Sequence, residues 1–158
     1  MNGYQQYLKR MSEVMKFEVA TSKIMGYNLG IKLIRGAYMN EERNLAKEHY
    51  YESPVWDTIE DTHACFNDSM LHIIENLSDK GYLLVASHNV DSVVMAQKKM
   101  QELEITDKRV RFAQLKGFSD QLTGMLSQDK NLTVYKYLPY GPTETVMPYL
   151  VRRGQESK

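Results

Sequence analysis

The chain has 158 residues, 20 basic and 20 acidic side chains and a single cysteine, Cys65. That length suffices for one domain with a real core, and zero formal net charge argues against a nucleic-acid binder that works through a general basic field. One cysteine excludes a disulfide framework and a thiolate metal cluster, and no apolar run approaches the roughly 20 residues that span a bilayer. Met1 to Arg10 lacks the apolar core of a signal peptide, and early acidic residues with little arginine make it a poor organelle-targeting segment. No Pro/Gly/Ser-rich linker divides the chain, so residues 1–158 read as a single domain.

From Gln5 to about Met25, Leu8, Met11, Met15 and Val19 recur at three- and four-residue steps, which predicts an amphipathic helix closed by Gly26. Gly30 to Tyr38 predicts a strand. Ile31 and Leu33 share one face, whereas Lys32, Ile34 and Gly36 share the other. Arg35 has the Ile31/Leu33 parity and falls where the strand runs out. Glu41 and Glu42 open a short helix to about His49, and Tyr50 to Trp56, with Pro54, reads as a loop. Asp57 or Thr58 caps the next helix, whose buried stripe is Ile59, Thr62, Phe66, Met70, Ile73, Ile74 and Leu77, and which stops near Lys80-Gly81. Tyr82 to Ala86 is an unalternating apolar run, the pattern of a strand covered on both faces.

Asp91 caps a helix carrying Val94, Met100 and Leu103 to about Glu104. Val110–Leu115 is a strand ended by Gly117, Asp120–Ser127 a helix, and Thr133–Tyr137 a strand ended by Pro139-Tyr140-Gly141. Pro148, well suited to a first helical position, opens the last helix and puts Tyr149, Arg152 and Arg153 in its first two turns. The sum is a helix followed by four strand–helix units, an α/β chain with a parallel sheet.

The polar clusters Arg35–Tyr38, Ser87–Asn89, Gln114–Gly117 and Tyr137–Gly141 all follow strands. In parallel α/β folds these loops share one edge, where ligands bind. Arg152-Arg153 suits a carboxylate, since each planar guanidinium donates two parallel hydrogen bonds; a solvated helix face beside Glu156 accounts for the pair equally well. Tyr137, Tyr140 and Tyr149 form an aromatic wall or ordinary packing. His88 is the one histidine at a strand end and reads as a hydrogen-bond donor to a ligand. His49, His63 and His72 sit in helical runs with no facing partner. No convincing metal-ligand set is present, and neither GxGxxG nor a Walker loop occurs. The residues alone lead to an anionic small-molecule site on an α/β scaffold.

Taken together, Lys32-Leu33-Ile34-Arg35-Gly36-Ala37-Tyr38, Ala86-Ser87-His88-Asn89, Phe112-Ala113-Gln114-Leu115-Lys116-Gly117, Tyr137-Leu138-Pro139-Tyr140-Gly141 and Pro148-Tyr149-Leu150-Val151-Arg152-Arg153 resemble the proline dehydrogenase family, in its eukaryotic form. The resemblance implies the C-terminal part of a (β/α)8 TIM-like barrel that binds FAD, oxidises L-proline to Δ1-pyrroline-5-carboxylate and passes electrons to a quinone. It implies Lys32 at a basic position near the flavin N5, where many bacterial members have arginine. Arg35, Gly36 and Ala37 contact the flavin largely through backbone, and Ser87, His88 and Asn89 with Gln114 and Leu115 lie beside it. Tyr38 and Tyr149 line the substrate site, Tyr137 packs over the proline ring, and Arg152 and Arg153 bind its carboxylate. Glu156 and Gln5 complete the cofactor set.

A full barrel of this kind takes around 250 residues. The resemblance therefore implies a longer protein, with the first three strands and most of the fourth outside this chain. A half-barrel acting by association, and a hydroxyproline dehydrogenase, are the alternatives. The eukaryotic likeness implies a mitochondrial enzyme with peripheral contact to the inner membrane.

Overall fold

The computed structural model describes residues 1–156, and no side chain beyond Gly154. Five parallel strands form one sheet in sequence order: β1 (Asn2–Gln5), β2 (Gly30–Ile34), β3 (Tyr82–Ala86), β4 (Val110–Leu115) and β5 (Thr133–Tyr137). The helices are α1 (Met11–Met25), α2 (Met39–Glu48), α3 (Ile59–Asn76), α4 (Val90–Glu102), α5 (Asp120–Ser127) and α6 (Thr143–Glu156). Because every strand runs the same way, all strand tips open onto one rim, the arrangement the alternating sequence pattern predicts.

Side-chain parity decides the two faces. Leu33, Val85, Phe112 and Val134 sit in one register row, and Ile31, Leu83 and Val110 in another. Ile31, Leu33, Leu83, Val85 and Phe112 are fully buried against helices, packed with Met15 and Val19 of α1, Phe66, Met70 and Ile73 of α3, and Val93 and Ala96 of α4. The opposite face carries Lys32, Leu84, Arg111, Tyr135 and Tyr137 and is only partly covered. An unalternating apolar run at β3 therefore does not mean burial on both sides: Tyr82 is 44% exposed, with the Arg111 guanidinium 4.5 Å from its ring centroid.

Several boundaries differ from the sequence expectation. Gln5 does not start the first helix but ends a fifth strand, Asn2–Gln5, paired residue for residue with Ile31–Ile34. Pairing with β2 outweighs local preference here, and α1 begins only at Met11. β2 ends at Ile34 rather than Tyr38, because Gly36 takes φ 118°. α3 stops at Asn76, where Leu77 turns extended, and Ile59 at its first position is exposed rather than part of the stripe. Thr58 is the cap, accepting from the Asp61 N–H at 3.1 Å.

Asn89, not Asp91, caps α4 by accepting from the Ser92 N–H at 2.9 Å. Its buried face is Ser92, Val93, Ala96 and Met100, with Val94 and Leu103 outside. α6 begins at Thr143, not Pro148: the Pro142 carbonyl accepts from both Thr145 and Val146 N–H and starts the first turn. Pro148 lies within the helix, where its missing N–H leaves the Glu144 carbonyl without an i+4 donor.

Candidate functional site at the C-terminal rim

Lys32 and Tyr137 show how the rim closes on itself. They belong to β2 and β5, with β3 and β4 between them. On a flat sheet that separation is about 14 Å. The Lys32 ammonium nevertheless lies 5.4 Å from the centroid of the Tyr137 ring, so both side chains converge within the concave side of a curved sheet. Tyr137 also meets Tyr149 of α6 edge-on, with centroids 6.3 Å apart. Tyr149 in turn faces Arg153, whose guanidinium carbon is 5.2 Å from its ring centroid. A continuous path of cation–aromatic contacts thus runs from β2 to α6.

Arg152 leaves the next position of α6 toward the β2–α2 loop. Its guanidinium carbon lies 6.0 Å from the Tyr38 ring centroid, and its Nη1 lies 3.4 Å from Glu41 Oε1. α6 therefore lies over the mouth of the sheet, with one arginine toward each side. Arg153 is linked to Lys32 through Tyr149 and Tyr137, whereas Arg152 meets Tyr38 and Glu41.

The second group of predicted residues plays a different part. Arg35, Ser87 and Gln114 have the parity of the buried face, and their side chains turn toward the helices. Arg35 donates to His63 Nδ1 at 2.9 Å, to Ser87 Oγ at 2.8 Å and to Ser92 Oγ at 2.8 Å. Ser87 Oγ also accepts from the Asn89 N–H, and Asn89 Oδ1 is the α4 cap. Gln114 is 2% exposed; its Nε2 donates to the Ser87 carbonyl at 3.4 Å and its Oε1 accepts from Thr123 Oγ1 at 3.0 Å. These side chains brace the loops, so what they offer at the rim is backbone.

His88 is held by two contacts. The Leu115 N–H donates to its Nε2 at 3.0 Å, and its ring stacks on Phe118 at 5.5 Å between centroids. Burial pushes its pKa below the ordinary histidine value, with the nearby Lys136 charge acting the same way. Because Nε2 accepts from the Leu115 N–H, the neutral imidazole carries its proton on Nδ1. Lys136 fixes the loop beneath it, donating to the Phe118 carbonyl at 2.7 Å and pairing with Asp120 at 2.6 Å.

Gln5 and Gly36 meet where β1 and β2 end. Gln5 Oε1 is buried without a hydrogen-bond partner. A Cβ on Gly36 would collide with the ring of Tyr7 and stand 2.9 Å from that Gln5 oxygen, so this position admits only glycine. Ala37 continues the same loop to Tyr38. The side chain of Glu156 lies outside the described residues.

Sequence reading missed Tyr7, His63, Ser92 and Lys136. His63 does have a facing partner, Arg35, which stands 28 positions away in the chain. No local spacing announces such a pair.

Comparisons with known proteins converge on one family. The family model described as proline dehydrogenase matches residues 1–158. The chain is 42% identical over 161 residues to "Proline dehydrogenase 2, mitochondrial" of Arabidopsis thaliana, covering 99% of this chain and 34% of that protein. It is 41% identical to "Proline dehydrogenase 1, mitochondrial" of Homo sapiens (99% and 26%) and 40% identical to the hydroxyproline dehydrogenase of Xenopus laevis (99% and 34%). Among solved structures, proline utilization A from Bdellovibrio bacteriovorus superposes with a TM-score of 0.87 at 24% identity, over 96% of this chain and 16% of that one. The likeness supports the TIM-like barrel architecture. The chain spans about a third of the length of the Arabidopsis thaliana relatives it matches.

Proposed function

We propose, from the premise that this chain belongs to the proline dehydrogenase family, that it forms the C-terminal rim of an FAD-dependent active site oxidising L-proline to Δ1-pyrroline-5-carboxylate, the first step of proline catabolism. The observation that carries the reading is α6 laid over the strand tips, with Arg152 reaching Tyr38 and Arg153 joined to Lys32 through Tyr149 and Tyr137.

The residues fit a flavin. Gln5 Oε1 is a buried acceptor lacking a donor, and the glycine-only loop beside it brings backbone close to whatever lies there. Gln5, Lys32, Gly36, Ala37, His88 and Leu115 would hold the cofactor, with Arg35, Ser87, Asn89 and Gln114 fixing the backbone that does so. FAD, when bound, accepts a hydride at N5 from the ring carbon next to the proline nitrogen. Arg152 and Arg153 grip the substrate carboxylate, and Tyr137 and Tyr149 pack against the apolar ring, so orientation is set before reaction. Lys32 brings a positive charge to the place where electron density arrives. Hydride loss from beside the uncharged amine would leave a protonated carbon–nitrogen double bond, whose proton passes to solvent water. A quinone would then reoxidise the cofactor.

Relatives named mitochondrial support the same compartment; peripheral contact with the inner membrane is part of the proposal. Among the described residues no helix is long and apolar enough to cross a membrane. A hydroxyproline substrate is the nearest chemical alternative, since relatives with that name match almost as well. A non-catalytic role by association is favoured by one observation: the concave face leaves Tyr82, Tyr135 and Tyr137 44–48% exposed.

The deciding experiment is an absorption spectrum of the purified chain, co-expressed with the preceding barrel strands of the Arabidopsis relative, with and without proline. A yellow chromophore bleached by proline is expected. Bleaching by hydroxyproline alone would reassign the substrate. A colourless protein that forms concentration-dependent dimers would move the reading to association.

A further inference from the structure

Arg35 stands one residue beyond β2, and its side chain leaves the sheet on the helix side. Its three hydrogen bonds reach three different elements: His63 on α3, Ser87 after β3 and Ser92 in the first turn of α4. Phe66 of α3 lies under the guanidinium, with 4.2 Å from Cζ to the ring centroid. The acceptors are themselves tied. Ser92 Oγ donates to Asn67 Oδ1 at 2.7 Å, and Ser87 Oγ accepts from the Asn89 N–H at 3.1 Å.

Each of these acceptors is neutral: an imidazole and two hydroxyls. Burial pulls the guanidinium pKa down to about 10, with no carboxylate opposing it. A surface ion pair would need only charge. Three acceptors spread over three elements need a planar fork whose donors diverge at fixed angles, and lysine has none.

We propose that Arg35 is a positioning residue: its fork locks the Gly36–Tyr38 loop to the Ser87–Asn89 loop and the α4 N-terminus, and so sets the spacing of the two loops that receive the ligand. The locking is a property of the chain itself; its meaning for catalysis rests on the proposed function. The guanidinium itself touches no ligand. It acts through Gly36 and Ala37, which follow it in the chain, and through Ser87, which it holds.

The test is residue-resolved amide hydrogen exchange on the full chain, comparing wild type with Arg35→Lys, Arg35→Met and Ser92→Ala, with flavin titrated into each. In Arg35→Lys, exchange at the Asn89 and Ser92 amides is expected to rise at least tenfold. The amides of Leu83, Val85 and Phe112 in the sheet are expected to keep their rates. Flavin affinity falls about tenfold, and the 15N signal of His63 Nδ1 loses its hydrogen-bonded position. Ser92→Ala, which keeps the charge but removes one arm of the fork, loosens Ser92 and Asn89 in the same direction and serves if Arg35→Met does not fold. Wild-type exchange in Arg35→Lys would show that charge alone suffices and would overturn the proposal. If wild type binds no flavin while the exchange pattern holds, the functional reading fails and the positioning role stands.

Discussion

The two faces of the sheet are built on opposite plans. On the helix side, Ile31, Leu33, Leu83, Val85 and Phe112 exclude water completely. On the concave side, cations lie over aromatic rings: Lys32 on Tyr137 and Arg111 on Tyr82, with Arg111 also donating to Tyr135. The first face supplies stability through buried apolar area. The second contributes little stability, and it holds charge in a place that water and small molecules reach. At the strand tips the contrast changes character. There the helix side becomes polar, through Arg35, Ser87, Gln114 and Lys136, and its hydrogen bonds shape the loops that the concave side presents.

If that division is right, substitutions on the two faces separate stability from binding. The largest loss should come from Phe112→Ala, about 3–5 kcal/mol in chemical denaturation, because a fully buried ring is replaced by a cavity. Gly36→Ala should cost roughly 2–4 kcal/mol, since it adds an unfavourable φ to a collision with Tyr7. The same measurement checks it, and wild-type stability would mean that Tyr7 is free to move. Arg152→Met should leave the thermal midpoint almost unchanged but weaken proline binding roughly tenfold to a hundredfold in the reconstituted barrel, read by calorimetric titration. An unchanged affinity would break the assignment of carboxylate binding to α6.

Acid should act through the partly buried histidines. His63 and His88 both titrate below the ordinary value of 6.5, chiefly from burial. The unfolded chain then binds more protons than the folded one near that pH. Their contribution is whole above about 6.5 and is lost as pH falls through the lower folded values. Thermal midpoints measured from pH 8 to pH 5 should decline over that window, and His88→Asn should flatten part of the decline. The smallest effect belongs to Tyr135→Phe on the open face. Removing its exposed contact with Arg111 should change stability by less than about 0.5 kcal/mol. A loss several times larger would mean that the concave face is more than a binding surface.

How much of this was legible depended on whether the signal was local. β3, β4, α5 and β5 follow directly from runs of apolar residues bounded by glycine, proline and capping residues, and they match to the residue. β1 did not, because Asn-Gly-Tyr-Gln has no strand pattern of its own and becomes a strand only beside Ile31–Ile34. The buried face of α4 was misjudged because Val94 and Leu103 are apolar yet turn away from the core, while small Ala96 turns toward it. At the rim, the end of β5 and the last helix drew attention to Tyr137, Arg152 and Arg153, whereas Lys32, inside β2, was assigned a role only by the family resemblance. The bracing contacts of Arg35 were not legible, since their partners come from distant parts of the chain.

The pairing of the strands also bears on how the molecule assembles. Gly30 meets Tyr82 across β2 and β3, whereas Arg111 meets Thr133 across β4 and β5. Closing the first of these loops confines far more chain, and each doubling of length adds about 0.6 kcal/mol of entropic cost. Zipping therefore starts more cheaply at the β4–β5 end. Joining β2 to β3 is the expensive step, and the Arg35 fork spans that same seam.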